Sequence, residues 1–581
     1  MKQERHEFDF CVVGGGMAGL IAALAAARRG ARVALVQDRP VLGGNASSEI
    51  RMHICGARGA GHRETGILEE LLLENHYRNP EPNYSIWDSV LYGAAQYQPG
   101  LTLFLNTTVQ AATMDGSRVA AVRAWQLTTE TTHEISAALF ADCSGDGILV
   151  PLTGAEYRIG REARREYGES IAPVEGDRKT MGLSCLFQAR EYDRPMPFIP
   201  PAWACRFETP EDLRGRDVQL RRTNFWWIEV GGDRDSIHDA ERLREELIRI
   251  AFGVWDYIKN RAPDREQQAN WALDWIGFLP GKRESRRYIG DHVLTQHDVE
   301  SGGPFEDIVA YGGWTMDDHF PAGFYHPEAG TIFHPTPSPF GIAYRTLYSR
   351  NIENLYCAGR CHSATHAAMS ATRVQGTTSL MGQAVGTAAA IAARDGLTPR
   401  GVLDRRRREL QEALMEDDVW LPGLARPIAD LCRAARLAAS AGDPDPLRSG
   451  YDRRIDDVEH AWIAPLGASV EYDFGGVRPI REVRLVFDSC LDRKDGGRIA
   501  RNLRHFYARD AAPWAPPPTL VRDFRLEARD AAGRWTIVHR AADNYQRLVR
   551  VPLAVEARGV RLVPETSWGD TLARVFAFEA R

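Results

Sequence analysis

Gly14-x-Gly16-x-x-Gly19, set between an apolar run and an alanine-rich stretch, restricts the fold of this chain more than any other part of its sequence. Phe8 to Val13 reads as a short strand. Met17 to Arg29 has no glycine or proline beyond its first turn and reads as a helix, Gly30 ends it, and Ala31 to Val36 is the next strand. Strand, helix and strand in this order form a βαβ unit, and such units build parallel sheets. Each glycine then has a mechanical reason. The first permits a tight turn, the second lets backbone approach a pyrophosphate, and the third lets helix pack closely on strand. Met17 and Ala18 open the helix, whose positive dipole end faces the same phosphates.

A chain of 581 residues exceeds what one hydrophobic core supports, so two or three packed units are expected. Apolar residues at 44% and charged residues at 26% describe a globular protein and argue against long disorder. The net charge of −6, with acids interleaved among the arginines, gives no basic field for nucleic acid. The start, MKQERHEFDF, lacks the apolar core of a secretory leader, and no apolar run approaches the ~20 residues of a membrane span. Nine scattered cysteines do not form a disulfide framework. These features together predict a cytoplasmic protein.

The pattern divides the chain. Residues 1–180 and 346–400 read as two parts of an α/β, Rossmann-like domain. An αβ stretch from Ile86 to Val109 precedes a hairpin turning at Asp115-Gly116, and Leu139 to Asp142 is a further short strand. Residues 181–345, with shorter apolar runs and frequent tryptophans such as Trp226, Trp255, Trp275 and Trp314, read as an inserted mixed α+β domain roofing a site. Residues 401–449 read as a helical linker. From 450 to 581 the signal is alternation, as in Ser469–Phe474, Glu482–Phe487, Phe524–Glu527 and Val560–Val563, which predicts a β-sandwich.

Later motifs extend the first. Leu42-Gly43-Gly44-Asn45 follows the second strand, Ala141 to Gly147 ends a later strand, and Ala358-Gly359-Arg360 precedes a segment containing Gly376-Thr377-Thr378-Ser379. In this order they resemble the FAD-dependent oxidoreductases with a glutathione-reductase-like flavin domain, in particular a large bacterial group of which some members are called xanthan-lyase-like. The resemblance covers roughly residues 8–190 and 275–400.

It implies FAD as cofactor and roles by position. Gly14, Gly16 and Gly19 would hold the pyrophosphate. Gln37 or Asp38 would meet the adenosine ribose, although the usual residue there is an acid and Asp38 is equally well explained as a solvated strand end. Gly43, Gly44, Asn45 and Ser48 would run beside the dinucleotide, and Val109 would present backbone to adenine. Ser144, Gly145 and Asp146 would close over it, and Gly359 and Arg360 would flank the ribityl chain. Thr378 and Ser379 would open a helix aimed at the flavin pyrimidine edge, where its dipole favours the negative charge of the reduced ring.

Between the pyrophosphate turn and Cys55, Glu49, Arg51 and His53 alternate, so an extended segment would place them on one side. A histidine and an arginine suit removal of a hydroxyl proton and stabilisation of an alkoxide, with Glu49 toward substrate; a buried network ordering the loop is the competing explanation. His362 and His366 are spaced to share a helix face, as bases, as structural histidines, or as a metal pair; with no third ligand in view, no metal is predicted. Arg283, Asp317 and His319 are substrate-region candidates, since tryptophan beside acid and histidine suits a sugar. Charge runs such as Lys282 to Arg287 are otherwise often solvated surface.

The C-terminal strands resemble galactose-binding-like, discoidin-type sandwiches, which implies carbohydrate binding or a structural role. The expected function is flavin-dependent oxidation of a carbohydrate or related polyol, with an electron acceptor that the sequence does not name and room for a homo-oligomer. The alternatives are a flavin-containing sugar lyase or hydrolase with transient redox, and a carbohydrate-binding protein on a flavin scaffold.

Overall fold

The computed structural model describes residues 2–492 and 506–581, which divide into two compact units. The first comprises residues 2–56, 82–407 and 506–513; the second comprises 57–81, 408–492 and 514–581.

The first unit is built on a seven-stranded sheet. β1 (Lys2–Val13), β2 (Val33–Val36) and β3 (Leu101–Phe104) are parallel and successive, and β1 also pairs in parallel with β6 (Thr131–Asp142). β4 (Thr107–Asp115) and β5 (Arg118–Gln126) form the expected hairpin, joined antiparallel to the first half of β6. The late strand Leu355–Cys357 lies in parallel against the last three residues of β6, on the same edge as β5. That placement, which no local pattern encodes, carries Gly359-Arg360 to the end of the strand that delivers Ser144-Gly145-Asp146.

β1 is longer than the apolar run from Phe8. Residues 2–7 alternate exposed and partly buried side chains, and they pair with β6 from Lys2↔Thr131 onward. A strand at a sheet's end tolerates such polar residues because only its backbone has to be satisfied.

α1 (Met17–Arg28) is buried from Met17 to Ala27. It is apolar on every side because it lies between the sheet and the long helix Gln375–Asp395, whose residues 376–392 are also buried. Glycines set their separation. A Cβ on Gly382 would stand 2.1 Å from the carbonyl oxygen of Ala18, and one on Gly386 would stand 2.1 Å from that of Ala22.

The inserted region forms several small antiparallel pairings rather than one sheet. Phe187–Glu191 pairs with Trp271–Ile276, Leu183–Ser184 lies between Glu229–Val230 and Gly281–Lys282, and Met316–His319 pairs with Thr331–His334. The helix Ala240–Asp256 covers a core that includes Phe187, Trp227, Leu247 and Trp255.

The second unit is an antiparallel sandwich of long strands around Trp462, Tyr472, Leu485, Phe524, Val560 and Phe578. Two segments read as separate strands belong to one strand, Val470–Phe487. The Gly475-Gly476 pair does not turn the chain. Gly475 takes φ +73°, the register against Leu548–Ser567 slips between Asp473 and Arg478, and the strand resumes in the same direction. Such a bulge bends a strand without ending it. Residues 436–439, expected as part of a helical linker, are a strand on the sandwich edge, and the helix Ile67–Arg78 belongs to this unit.

Gly382→Ala and Gly386→Ala should each lower folding stability by about 1–3 kcal/mol through overpacking against α1. Chemical denaturation of the apo protein would measure the loss, and a neutral result at both positions would remove the close helix contact.

Candidate functional site

The glycine turn supplies the floor of the site. Gly14 takes φ +101°, and a Cβ there would lie 2.5 Å from the backbone of Ser144, so turn and late motif are in direct contact. At Gly19 a Cβ would meet the Gly14 carbonyl oxygen at 1.8 Å. Gly16 differs. Its added Cβ would have only Gly44 Cα within reach, at 3.9 Å, leaving open the face a pyrophosphate would use. Gly43 bridges Gly16 and donates its N–H to Gly15 O at 2.8 Å, and Gly43 and Gly44 both take positive φ.

Two helices of this unit start without a side-chain cap. Gly16 caps α1 and Val374 caps Gln375–Asp395, neither with a side-chain hydrogen bond. Helix starts without a side-chain cap keep backbone N–H groups available to an anionic ligand. In the second helix the hydroxyls of Thr378 and Ser379 donate to Gln375 O, at 3.2 and 2.7 Å, and serve the helix itself. Thr377, not singled out by the sequence reading, has a buried hydroxyl with no hydrogen-bond partner. An orphaned hydroxyl in the first turn of this helix fits a cofactor that completes it.

At the expected adenosine end, Gln37 is buried. Its Oε1 accepts from Gly15 N at 2.7 Å and its Nε2 donates to Val41 O at 3.1 Å, so its amide pins the glycine turn. Asp38 is exposed beside Arg39. Val109 is buried on β4 at a register break opposite Ala124, and the start of β4 is tied to β2 by Thr107 N–H donating to Gln37 O at 2.9 Å.

Asp146 is the hub of the closing motif. It sits 2.6 Å from Lys282 Nζ and 2.7 Å from Arg360 Nη2, and it accepts from Ser285 Oγ at 2.9 Å. Burial would raise its pKa, but the two cations outweigh burial and hold the carboxyl far below the usual range. Gly145 abuts the Arg360 guanidinium, and Ser144 Oγ donates to Asp142 at 2.6 Å. Asn45 donates to Lys282 O at 3.1 Å, joining the Gly43-Gly44 turn to the same strand.

The segment after Asn45 is not extended. A short 3-10 turn spans Gly44–Ala46, Ser48 N–H donates to Asp88, and Arg51 takes φ +61°, so Glu49, Arg51 and His53 do not line one side of a strand. Glu49 faces Arg39 at 3.7 Å. The Arg51 guanidinium lies over two rings, 4.5 Å from Tyr84 and 4.3 Å from Trp275, and donates to Gln188 Oε1 at 2.8 Å. His53 places Nδ1 3.3 Å from Asn224 Nδ2 and Nε2 3.2 Å from Cys55 Sγ. Gly376 N–H donates to Cys55 O at 2.7 Å and Gln375 Nε2 to Met52 O at 3.3 Å. The loop bearing His53 is thereby fastened to the start of the second helix.

His362 and His366 do not share a helix face, because the helix His366–Thr372 begins only at His366. His362 is buried in the preceding turn, with Nδ1 donating to Gly359 O at 2.9 Å and Nε2 3.2 Å from Thr372 Oγ1. Burial lowers its pKa to about 4, so it is neutral and braces the Gly359 turn. His366 is charged instead. Burial opposes the charge, but Glu284 on Nδ1 at 2.8 Å and Asp318 on Nε2 at 3.1 Å raise its pKa to about 10.

The run Lys282 to Arg287 is largely interior. The terminal nitrogens of Arg283 donate to Ser184 Oγ, Gly182 O and Trp226 O, with Glu229 at 3.4 Å. Arg287 meets Glu162 at 2.9 Å. His319 stands between Glu229 at 2.6 Å and Asp317 at 3.2 Å, and Asp317 also meets Arg373 at 3.2 Å. Its pKa is raised because these carboxylates outweigh burial. The strand Met316–His319 is thus clamped to the segment leading into the second helix, through Asp318–His366 and Asp317–Arg373.

A family model for FAD dependent oxidoreductases matches residues 9–414. Glycerol-3-phosphate dehydrogenase of Mycobacterium leprae (strain TN) is 41% identical over 69 residues, 12% of either chain, so the shared stretch is a small part of that enzyme. A geranylgeranyl bacteriochlorophyll reductase-like protein of Thermoplasma acidophilum is similar over 71% of this chain and 86% of its own, at 12% identity and TM-score 0.31. The family 32 carbohydrate-binding module of Streptococcus pneumoniae EndoD is similar over 26% of this chain and 99% of its own, at 15% identity and TM-score 0.20. With a match running from β1 through the long helix Gln375–Asp395 and beyond it, the chain belongs to the FAD-dependent oxidoreductase family.

Proposed function

We propose that this enzyme oxidises a carbohydrate or related polyol, with FAD taking the hydride and His53 taking the hydroxyl proton. The seat of residues 52–55 carries the reading: Cys55 O and Met52 O accept from Gly376 N–H and Gln375 Nε2, so His53 is held beside the start of a helix that no side chain caps and whose dipole favours a reduced flavin. Bound FAD supplies the hydride acceptor.

The protein side of the chemistry follows from hydrogen-bond directions. Asn224 Oδ1 accepts from Trp226 N at 3.3 Å, which turns its amide nitrogen toward His53 Nδ1. Nδ1 is then an acceptor with its lone pair directed at that amide, and a substrate hydroxyl taking the amide's place would give up its proton there. Arg51 keeps its charge while desolvated between Tyr84 and Trp275, where it would stabilise a developing alkoxide. The two rings add flat apolar surface of the kind that meets sugar C–H faces.

Anaerobic mixing with a panel of sugars and polyols should bleach the flavin with one of them and yield a keto or acid product. His53→Gln should slow that bleaching about 10²- to 10⁴-fold. Equal rates in the variant would remove His53 as base, and bond cleavage without net flavin reduction would favour the lyase reading.

Cofactor binding has its own test. Gly16→Val should fold as the parent does yet fail to retain FAD, because the added atoms enter the open face. Thr377→Val should weaken FAD by roughly 3- to 10-fold, the worth of one hydrogen bond. Fluorescence titration of apo protein reads both, and unchanged affinity in both would displace the cofactor from this crevice.

His366 sets a pH dependence. Its folded pKa of about 10 lies above the ordinary histidine value near 6.5, so its contribution to stability is full below the latter and is lost as pH rises through about 10. Thermal midpoints of the parent should fall across that window and those of His366→Gln should fall less. Parallel curves would show that the clamp does not depend on the imidazolium.

A further inference from the structure

We propose that Glu4, His6 and His133 form a zinc site, at the end of the sheet away from the glycine turn. Among the described residues these three have donor atoms that converge: His6 Nε2 and His133 Nδ1 are 3.0 Å apart, and each is 3.6 Å from Glu4 Oε2. A triangle with those sides has a circumradius of about 2.0 Å, so an ion a little above its plane has all three donors at the ~2.0–2.2 Å of zinc–nitrogen and zinc–carboxylate bonds. Two imidazoles and one carboxylate, with water in the fourth position, form a donor set suited to Zn²⁺.

The backbone produces this triangle. Glu4 and His6 are two residues apart on β1 and therefore on one face. His133 lies on β6 directly opposite Glu4 in the parallel register, 127 residues after His6, which is why no sequence spacing reveals the group.

Gln126 fixes the tautomer of His133. The Gln126 amide nitrogen donates to Leu105 O at 2.9 Å, which leaves its Oε1 facing His133 Nε2 at 3.4 Å. His133 then carries its proton on Nε2 and directs the Nδ1 lone pair at the cluster. Holding the outer N–H of a ligating histidine on an amide or carboxylate oxygen is the usual support of a metal site. Lys2 pairs with the other oxygen of Glu4, Oε1, so Oε2 is the oxygen facing the rings. Phe8 and Phe104 flank His6, and Phe104 also meets His133 edge-on, which gives the site an apolar wall.

Roughly eight residues of β1 separate the cluster from Gly14, about 26 Å at the rise of a strand, so the ion would not touch the flavin chemistry. It would pin the polar start of β1 to β6. This inference is independent of the substrate reading above.

The holoenzyme, stripped with a chelator and checked for retained FAD, is titrated with Zn²⁺ by calorimetry beside Glu4→Gln, His6→Gln and His133→Gln. Expected are one ion per chain for the parent, a loss of affinity of more than tenfold in each variant, and a zinc-dependent rise in thermal midpoint for the parent alone. Co²⁺ bound to the parent should give four-coordinate visible bands without a thiolate charge-transfer band. Failure of the parent to take up zinc, equal uptake by all the variants, or a thiolate band placing the ion on cysteine would each overturn the proposal.

Discussion

Backbone packed directly on backbone fixes the two central helices of the first unit against each other and against the glycine turn. α1 meets its own strand through Gly19 and meets the helix Gln375–Asp395 through Gly382 and Gly386, at separations that admit no side chain. Both helices start without a side-chain cap, one at the glycine turn and the other against the loop of residues 52–55. A negatively charged dinucleotide and a flavin that gains charge on reduction both favour such a field. The orphaned hydroxyl of Thr377 belongs to the same arrangement, since a buried donor without a partner is costly unless a ligand completes it.

Around these two helices, charged groups wholly or partly withdrawn from water set position more than they add stability. Glu229 with Arg283 and His319, and Glu284 with His366, are almost wholly withdrawn from water, while Asp146 with Lys282 and Arg360, and Asp318 with His366, are partly withdrawn. Removing ions from water costs about as much as their pairing returns, whereas leaving one of them unpaired is strongly unfavourable. Such groups tolerate few alternative arrangements. Here they tie the inserted strand Met316–His319, the strand Gly281–Lys282 and the motif after β6 to one another.

The cofactor motifs were legible because each is short and local. A strand, a glycine turn and a helix need only adjacent residues, and the glycine spacing states the ligand class. The residues beyond them were less legible for identifiable reasons. The alternation of Glu49, Arg51 and His53 assumed an extended chain, but Ser47 and Asn45 carbonyls capture the N–H groups of Arg51 and Met52 and turn it. The spacing of His362 and His366 assumed a helix that starts four residues later. The charged run from Lys282 carries no mark of burial, because its partners Asp146, Glu229 and Glu162 come from other segments. Thr377 lies inside a quoted motif but nothing local marks its hydroxyl, and Asn224 and Gln188 have no motif at all.

The sequence by itself determined the βαβ start, its glycine turn and the presence of strand-rich structure after residue 450, since these follow from periodicity and from glycine where a Cβ cannot fit. Tertiary structure decided which charges are paired, which buried hydroxyl has no partner within the protein, and that the loop bearing His53, rather than His362, is fastened to the second helix. It also brought Glu4, His6 and His133 together. The physical reason is shared: hydrogen bonds and ion pairs of a few ångströms join segments from 48 to 323 residues apart, and local pattern carries no information about such partners.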